Sequence, residues 1–430
     1  MYRHYTVNRK VLSVALERFR PLSAKQFAVS FADGKLLLDA KSPDTRVKIE
    51  TSVPCVASET GETPPDVVLP MRLWASVLKA LPDESLTVSV EDKASTSEAL
   101  PLSVSLRAAD GKRKYRSTFG AYRYVQETLI PAEVSRKVAN LPGKALRDAL
   151  LVPMASRASV KKDTASDEIY AGIRLVLERN TLAIVGTDGV QAGLSVRALP
   201  DMVAAAIDVT LPALWSQAIR STFRSTEQVE VRRTNDTLLV SSDSSAVAVV
   251  LQPPAPRDGE ARHRFSPEFV ARRFGGLLGG RRLGVEAMAW KRHIGRACLF
   301  VGNDMGTWPV HVTLERGEVL LAARQSTATY RWHGSVEVLD CEFTTALPAS
   351  DMTAPGVFVE SAPTTALDCK RIKRGMASFG GTVTVGLHFD SHQVMSLPEM
   401  PDRDVYVFVA RSGKDMNYDL FALLPLKRYW

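Results

Sequence analysis

Residues able to do chemistry are few in this chain, and the tightest group is His388, Asp390 and His392 in the run HFDSH. Two imidazoles and a carboxylate within five positions are ligand types that zinc and related ions accept. The group follows the alternating run TVTVGLHF, however, so a strand that ends in an exposed turn is the favoured account and no metal is expected. No GxxxxGK[ST] loop is present to cradle nucleotide phosphates. GxSxG, HExxH and a plausible carboxylate pair are also absent, so catalysis and cofactors are not expected. What remains is positive charge and a small number of apolar anchors.

Lys and Arg total 55 against 47 Asp and Glu, a formal net charge of +8. Such a balance favours a polyanionic partner if the cations share one surface. They concentrate on segments with helical periodicity. Arg9, Lys10, Arg18 and Arg20 border the first; Lys144, Arg147 and Arg157, then Lys161 and Lys162, the second; and Arg272, Arg273, Arg281 and Arg282 the third. Later helices add Arg72, Lys79, Arg220, Arg224, Lys370, Arg371, Lys373 and Arg374. One basic helix face is ordinarily a solvated face. Six with the same bias, presented to one side, would form a continuous surface for phosphates that reads no base sequence.

The elements that must carry these residues recur three times. Phe27–Ala40, Gly172–Gly189 and Val310–Gln325 each alternate apolar residues into a turn and out again, the period-two signature of a half-buried hairpin. Asp33-Gly34, Arg179-Asn180 and Arg316-Gly317 stand at the turns, where positive φ matches the strand twist. A recurrence at about 140 residues points to three copies of one domain. The predicted boundaries are 1–132, 133–258 and 259–430, with linkers at Pro131–Leu141 and Pro253–Arg264 and an insertion at Pro348–Pro363.

A helix is expected before each hairpin, over Asn8–Phe19, Pro142–Ser159 (interrupted at Pro153) and Ser266–Gly280. A second helix is expected within Val67–Val90, Val209–Val231 and Thr364–Leu387, the first two entered through Leu-Pro and carrying a tryptophan. The fold class is α+β: antiparallel sheets with two helices per domain.

Of 430 residues 45% are hydrophobic and 24% charged, which is ordinary for a globular protein. No apolar run reaches the roughly 18 residues needed to span a bilayer, and MYRHYTVNRK does not look like a signal peptide, so a cytoplasmic location without membrane contact is expected. Cys55, Cys298, Cys341 and Cys369 are scattered without a CxxC pair and are expected to be free, buried thiols.

With these features in place the chain resembles the bacterial sliding clamp family, the beta subunit of DNA polymerase III. The resemblance is carried by VGTDG (Val185–Gly189), the Leu-Pro helices and the C-terminal LLPLKR (Leu423–Arg428), and covers the whole chain in order. It implies a head-to-tail homodimer closed into a ring, with helices lining a hole around double-stranded DNA. The function implied is that of a non-enzymatic processivity factor in DNA replication, which tethers a polymerase and meets its clamp loader through short peptide motifs. The expected DNA-facing residues are Arg9, Lys10, Arg147, Arg157, Lys161, Lys162, Arg272, Arg273, Lys370, Arg371, Lys373 and Arg374. The implied peptide cleft takes one wall from Tyr170, Thr187, Gly189, Gln191 and Ala192, and the other from Leu424, Pro425 and Leu426. Val190, Gln191 and Ala192 replace the family's usual His-Arg-Leu, Lys427 its arginine, and Tyr429-Trp430 extend its end. Those departures motivate the alternative of an accessory clamp-fold scaffold for repair or mobile-element proteins.

Overall fold

In a computed structural model the described residues are 2–32, 34–81, 84–92, 102–108, 116–124, 135–157, 172–251, 266–271, 281–301, 309–315, 318–324, 331–343, 364–390, 405–414 and 416–423. A strand, a helical segment and three more strands follow one another six times. The first third holds β1 (His4–Asn8), α1 (Arg9–Glu17), a 3-10 turn (Arg20–Leu22), β2 (Gln26–Ala32), β3 (Lys35–Lys41) and β4 (Val47–Ala57). It continues with β5 (Val67–Pro70), α2 (Met71–Ala80), β6 (Ser85–Asp92), β7 (Leu102–Ala108) and β8 (Arg116–Arg123). The middle third has β9 (Arg136–Pro142), α3 (Gly143–Ala149), α4 (Leu151–Ser156), β10 (Ile173–Glu178), β11 (Thr181–Thr187) and β12 (Gln191–Ala198). After these come β13 (Ile207–Leu211), α5 (Ala213–Thr222), β14 (Gln228–Arg233), β15 (Thr237–Ser241) and β16 (Ser245–Val250). The last third has β17 (Arg281–Glu286), α6 (Ala287–Phe300), β18 (Pro309–Glu315), β19 (Glu318–Arg324) and β20 (Arg331–Phe343). It ends with β21 (Thr364–Asp368), α7 (Cys369–Gly375), β22 (Thr382–Asp390), β23 (Val405–Lys414) and β24 (Asn417–Leu423).

All three hairpins form, as β2–β3, β10–β11 and β18–β19, with Phe31 opposite Leu36, Leu177 opposite Leu182 and Leu314 opposite Val319. Positive φ appears at Gly34 (78°) and Arg179 (55°), as the turns require; Asp33, Arg316 and Gly317 lie outside the described residues. In the third hairpin burial alternates over 310–312 and 319–323, as expected of half-buried strands; the first two differ. β2 and β11 bury residues on both faces, because a second layer covers them.

The chain forms two compact units, Met1–Arg147 with Ala213–Pro253 and Asp148–Pro212 with Pro254–Trp430, so the middle third contributes to both. In the first unit the strand order is β1-β6-β7-β8-β5-β2-β3-β4-β16-β15-β14-β9, and β1 also pairs with β4. In the second it is β13-β10-β11-β12-β24-β23-β22-β17-β20-β19-β18-β21. Every ladder among the described strands is antiparallel, in keeping with the α+β class. The first unit buries Phe19, Phe27 and Trp74 in one aromatic group. The second stacks Trp290 on Phe408, centroids 5.5 Å apart.

Several local expectations are corrected. The segment Pro131–Leu141 is not merely a linker, because β9 begins in it; RKVANLP offers too few alternating residues to announce a strand. The helix expected over Ser266–Gly280 is present over 267–271, and the sequence reading missed a longer helix after it, α6. Residues 272–280 lie outside the described residues, and Val270 covers a sheet face with Ala183, Val185, Ala192 and Leu194. The break in the second helical segment falls at Leu150, ahead of Pro153. Proline is tolerated in the first turn of α4, where its missing N–H has no partner to lose.

Cys298 and Cys369 are disulfide-bonded, with Cα atoms 5.9 Å apart. Sequence spacing could not show this, since the bond joins α6 to α7 across 71 residues. Cys55 is free, and burial pushes its thiol up to about 11. Only about one thiol in a thousand is then ionised at pH 8. Its alkylation by iodoacetamide, followed by peptide mass spectrometry, should therefore rise about tenfold per pH unit from pH 8 to 10; a plateau by pH 9 would contradict the shift.

Candidate functional site

Helix placement sets the basic surface. In the first unit α1 packs on α2, and α5 on the 3-10 turn that follows α1; in the second, α7 packs on both α4 and α6. Asn8 caps α1 by accepting from the Val11 N–H, and Asp368 caps α7 by accepting from Arg371. The buried stripe Leu12, Ala15, Leu16 turns the basic side of α1 outward, though Val11, expected inside, is 43% exposed.

The predicted cations differ in exposure and in the contacts they make. Lys370, Lys373 and Arg374 are exposed on α7. Lys10 is also exposed and pairs with Glu84 at 2.5 Å, an arrangement of small energetic weight. The Arg9 guanidinium donates to the Leu78 carbonyl and so ties α1 to α2. Arg147 reaches Ser225 at 3.5 Å. Arg157 is half-buried, and burial, with the nearby Arg374 charge, lowers its pKa. Lys161, Lys162, Arg272 and Arg273 lie outside the described residues.

Arg371 is a structural tie. Its Nη1 donates to Asp188 Oδ2 at 2.6 Å, fastening α7 to the turn after β11. That turn is built from its own polar groups: Asp188 Oδ1 accepts from the Val190 and Gln191 N–H groups, both at 2.9 Å. The Thr187 hydroxyl donates to the Gln191 carbonyl and accepts from the Gly189 N–H. Gly189 has φ +85°, which glycine adopts without strain.

The predicted peptide wall is thus placed in two layers. Thr187, Gln191 and Ala192 are buried, and their side chains support the turn from beneath. The Gln191 Nε2 donates to Asp188 and to the Ala155 carbonyl, while its Oε1 is buried with no partner among the described residues. Gly189 is half-buried and Val190 is 36% exposed, so Val190 is the apolar side chain this turn offers outward. Gln191 stands opposite Leu423 in the β12–β24 ladder. Tyr170, Leu424, Pro425 and Leu426 lie outside the described residues.

Two features escaped the sequence reading. Helix α6 brings Lys291, Arg292 and Arg296, and its signal was available: Ala287, Trp290, Ile294 and Ala297 recur at helical spacing and are buried. Arg18, expected on a polar face, is 8% exposed and donates to the hydroxyls of Thr51 (2.6 Å) and Ser245. For HFDSH, β22 runs through Asp390, His392 lies outside the described residues, and no cluster of three metal-ligand types occurs among the described residues. No described helix is long and apolar enough to cross a membrane.

No family model matches the sequence, and no curated protein does. Solved structures do match. The DNA polymerase sliding clamp from Bacillus subtilis aligns over 100% of both chains with a TM-score of 0.72 at 12% identity. The beta subunit from the DNA polymerase of Streptococcus pyogenes aligns over 98% of this chain and 99% of its own, with a TM-score of 0.69 at 16% identity. The DNA polymerase III subunit beta from Pseudomonas aeruginosa covers 99% and 100%, with a TM-score of 0.69 at 13% identity. The strand and helix order, the two twelve-stranded sheets and these end-to-end alignments together give the chain the fold of bacterial sliding clamps, as a sequence-divergent example of it.

Proposed function

We propose that the protein is a non-enzymatic DNA sliding clamp, a homodimeric ring that encircles duplex DNA and holds a polymerase to it. The supporting observation is a rule in the strand pairing. β16, the eighth strand of the middle third, pairs with β4, the fourth strand of the first. β24, the eighth of the last third, pairs with β12, the fourth of the middle. Applied once more, the rule leaves β8 and β20 as the two unused ends. β8 pairs with β7 over 116–121 and reaches β5 only at Tyr122 and Arg123. β20 pairs with β19 over 331–337 and with β17 over 338–343. The opposite edges of 116–121 and 331–337 are open among the described strands.

A second copy joining β8 to β20 head to tail satisfies both edges twice, and two such junctions close the assembly. The three domains proposed are 1–132, 133–258 and 259–430, and the exposed cations of α1 and α7 face the enclosed duplex. Loose phosphate contacts suffice in such a ring, since a topological link retains it. Partner peptides of polymerase and clamp loader insert between the Thr187–Gly189 turn and the Leu424–Leu426 tail, and the cytoplasm is the proposed location.

The test is retention on DNA. The protein should elute at twice its 47.1 kDa chain mass and, once loaded, stay on closed circles while being lost from linearised ones. A monomer in solution, or equal loss from both forms, would falsify encirclement. The Val190 surface keeps the scaffold alternative alive, and it predicts no stimulation of long-tract synthesis by the cell's replicative polymerase.

A further inference from the structure

The Cys298–Cys369 disulfide joins the last turn of α6 to the first residue of α7. The packing of these helices does not require it. In the first third, α1 and α2 follow β1 and β5 as α6 and α7 follow β17 and β21. That pair packs without a covalent link, and the Arg9 guanidinium donates across it to the Leu78 carbonyl. The first third has a single cysteine, Cys55 on β4, and the middle third has none. Helices α6 and α7 also share a buried core of Trp290, Ile294, Ala297, Ile372 and Met376. In the cytoplasm disulfides are rare, and those that form mostly serve redox sensing or catalysis. A staple added to helices that already pack therefore calls for a regulatory account.

We propose that Cys298 and Cys369 form a thiol–disulfide switch that sets how firmly α7 holds the turn after β11. The two sulfurs differ in access: Cys369 is fully buried and Cys298 half-buried, so a small thiol or disulfide meets Cys298. The reduced state is provided for as well. The Cys369 sulfur lies 3.4 Å from the Ile294 carbonyl oxygen, an acceptor in place for the thiol that reduction creates. The oxidant is a small-molecule disulfide of the glutathione class. The Cys298 thiolate attacks one of its sulfurs and releases a thiolate, and the Cys369 thiolate then attacks the Cys298 sulfur and releases the second. One S–S bond breaks and one forms; the protein thiols lose two electrons and two protons, and two small thiols are produced. Excess small thiol runs the exchange backwards. The route to the turn is short. Arg371 stands in the same first turn of α7 as Cys369, and its Nη1 donates to Asp188 Oδ2 at 2.6 Å. Asp188 Oδ1 in turn holds the Val190 and Gln191 N–H groups. Oxidation fixes this end of α7 to α6 and keeps Arg371 against Asp188. After reduction packing and the Asp368 cap alone hold it, and the tie loosens.

The proposal rests on the clamp reading for the cytoplasmic location and for the use of the turn as a peptide wall, but its test needs neither DNA nor peptide. The full chain is equilibrated with mixtures of reduced and oxidised glutathione, quenched by alkylation and digested without reductant. Mass spectrometry should find the peptide pair linked through Cys298 and Cys369 rising and falling reversibly with the mixture. Hydrogen exchange then reads the turn: the Val190 and Gln191 amides should exchange about fivefold faster in the reduced protein than in the oxidised one. Cys298→Ser should show the reduced rate in both mixtures. Arg371→Gln, which keeps the disulfide, should show fast exchange in both, because the route to Asp188 is cut; a staple that acted only on overall stability would still slow it. Circular dichroism checks that the variants are folded, and the reduced wild type makes the same comparison without a substitution. A linked pair that survives excess reduced glutathione, or one that never forms, overturns the switch. So does equal exchange of the two amides in oxidised and reduced wild type. Each of these results leaves the ring tests untouched, and failure of the ring tests leaves the switch standing.

Discussion

Gly186→Ala is expected to lower the unfolding free energy of the second unit by about 3 kcal/mol, a large part of any domain's net stability. Gly186 on β11 stands directly opposite Gly193 on β12. The glycine pair forms a flat seat on which α4 rests its backbone. A Cβ at Gly186 would lie 2.1 Å from the Pro153 carbonyl oxygen, and one at Gly193 2.4 Å from the Ser156 Oγ and 2.7 Å from the Val152 oxygen. Backbone cannot swing aside as a side chain can, so the helix must lift, and Val152 leaves the core it shares with Trp290 and Phe421. Gly295→Ala supplies the contrast. Nothing lies within 4 Å of its Cβ, and an alanine inside α6 should stabilise by up to about 1 kcal/mol. Denaturant unfolding, with hydrogen exchange on the β11 and β12 amides, reads both; effects of the same sign would show that the close approach of α4 is not what requires Gly186.

The second large effect is expected at Asp188. Removing its carboxylate by Asp188→Ala breaks the tie to Arg371 and releases the Val190 and Gln191 N–H groups and the Gln191 amide together. Charge-assisted hydrogen bonds to a carboxylate that is 12% exposed are worth more than a surface pair. A loss of about 2 kcal/mol is expected, with Arg371 left a third exposed and able to recover some hydration. Asp188→Asn keeps the acceptor for the two backbone N–H groups and should cost about half as much. In a double-mutant cycle with Arg371→Ala the coupling should be about 1 kcal/mol, read by urea unfolding. Strict additivity would mean that α7 and the turn are energetically separate. Because Gln191 in this network pairs with Leu423, the same variant should weaken binding of any peptide held beside the C-terminal tail.

These two sites mark how far local pattern carried the reading. The three hairpins were legible because alternation reports strand geometry residue by residue, and α1, α2, α5 and α7 because their apolar residues recur at helical spacing. β1, β9 and β17 were not, since five to seven residues are too few to distinguish a strand from a linker. Helix α6 was not anticipated, whereas the N-cap and proline at Ser266-Pro267 do begin a helix over 267–271. The resemblance drew attention to Thr187–Ala192, yet the burial of Gln191 and Ala192 behind the Thr187–Gly189 turn was not visible.

By itself the sequence determined the α+β class, the recurring hairpins and the basic bias of the helices, all of which are written in periods of two and 3.6 residues. Only the tertiary structure decided that Arg371 fastens a turn, that Arg18 is buried, that Cys298 reaches Cys369, and that the eighth strand of one third pairs with the fourth of another. Each of these depends on which distant surfaces meet. Packing and strand pairing across scores to hundreds of residues settle that, and no periodicity within a single element encodes it.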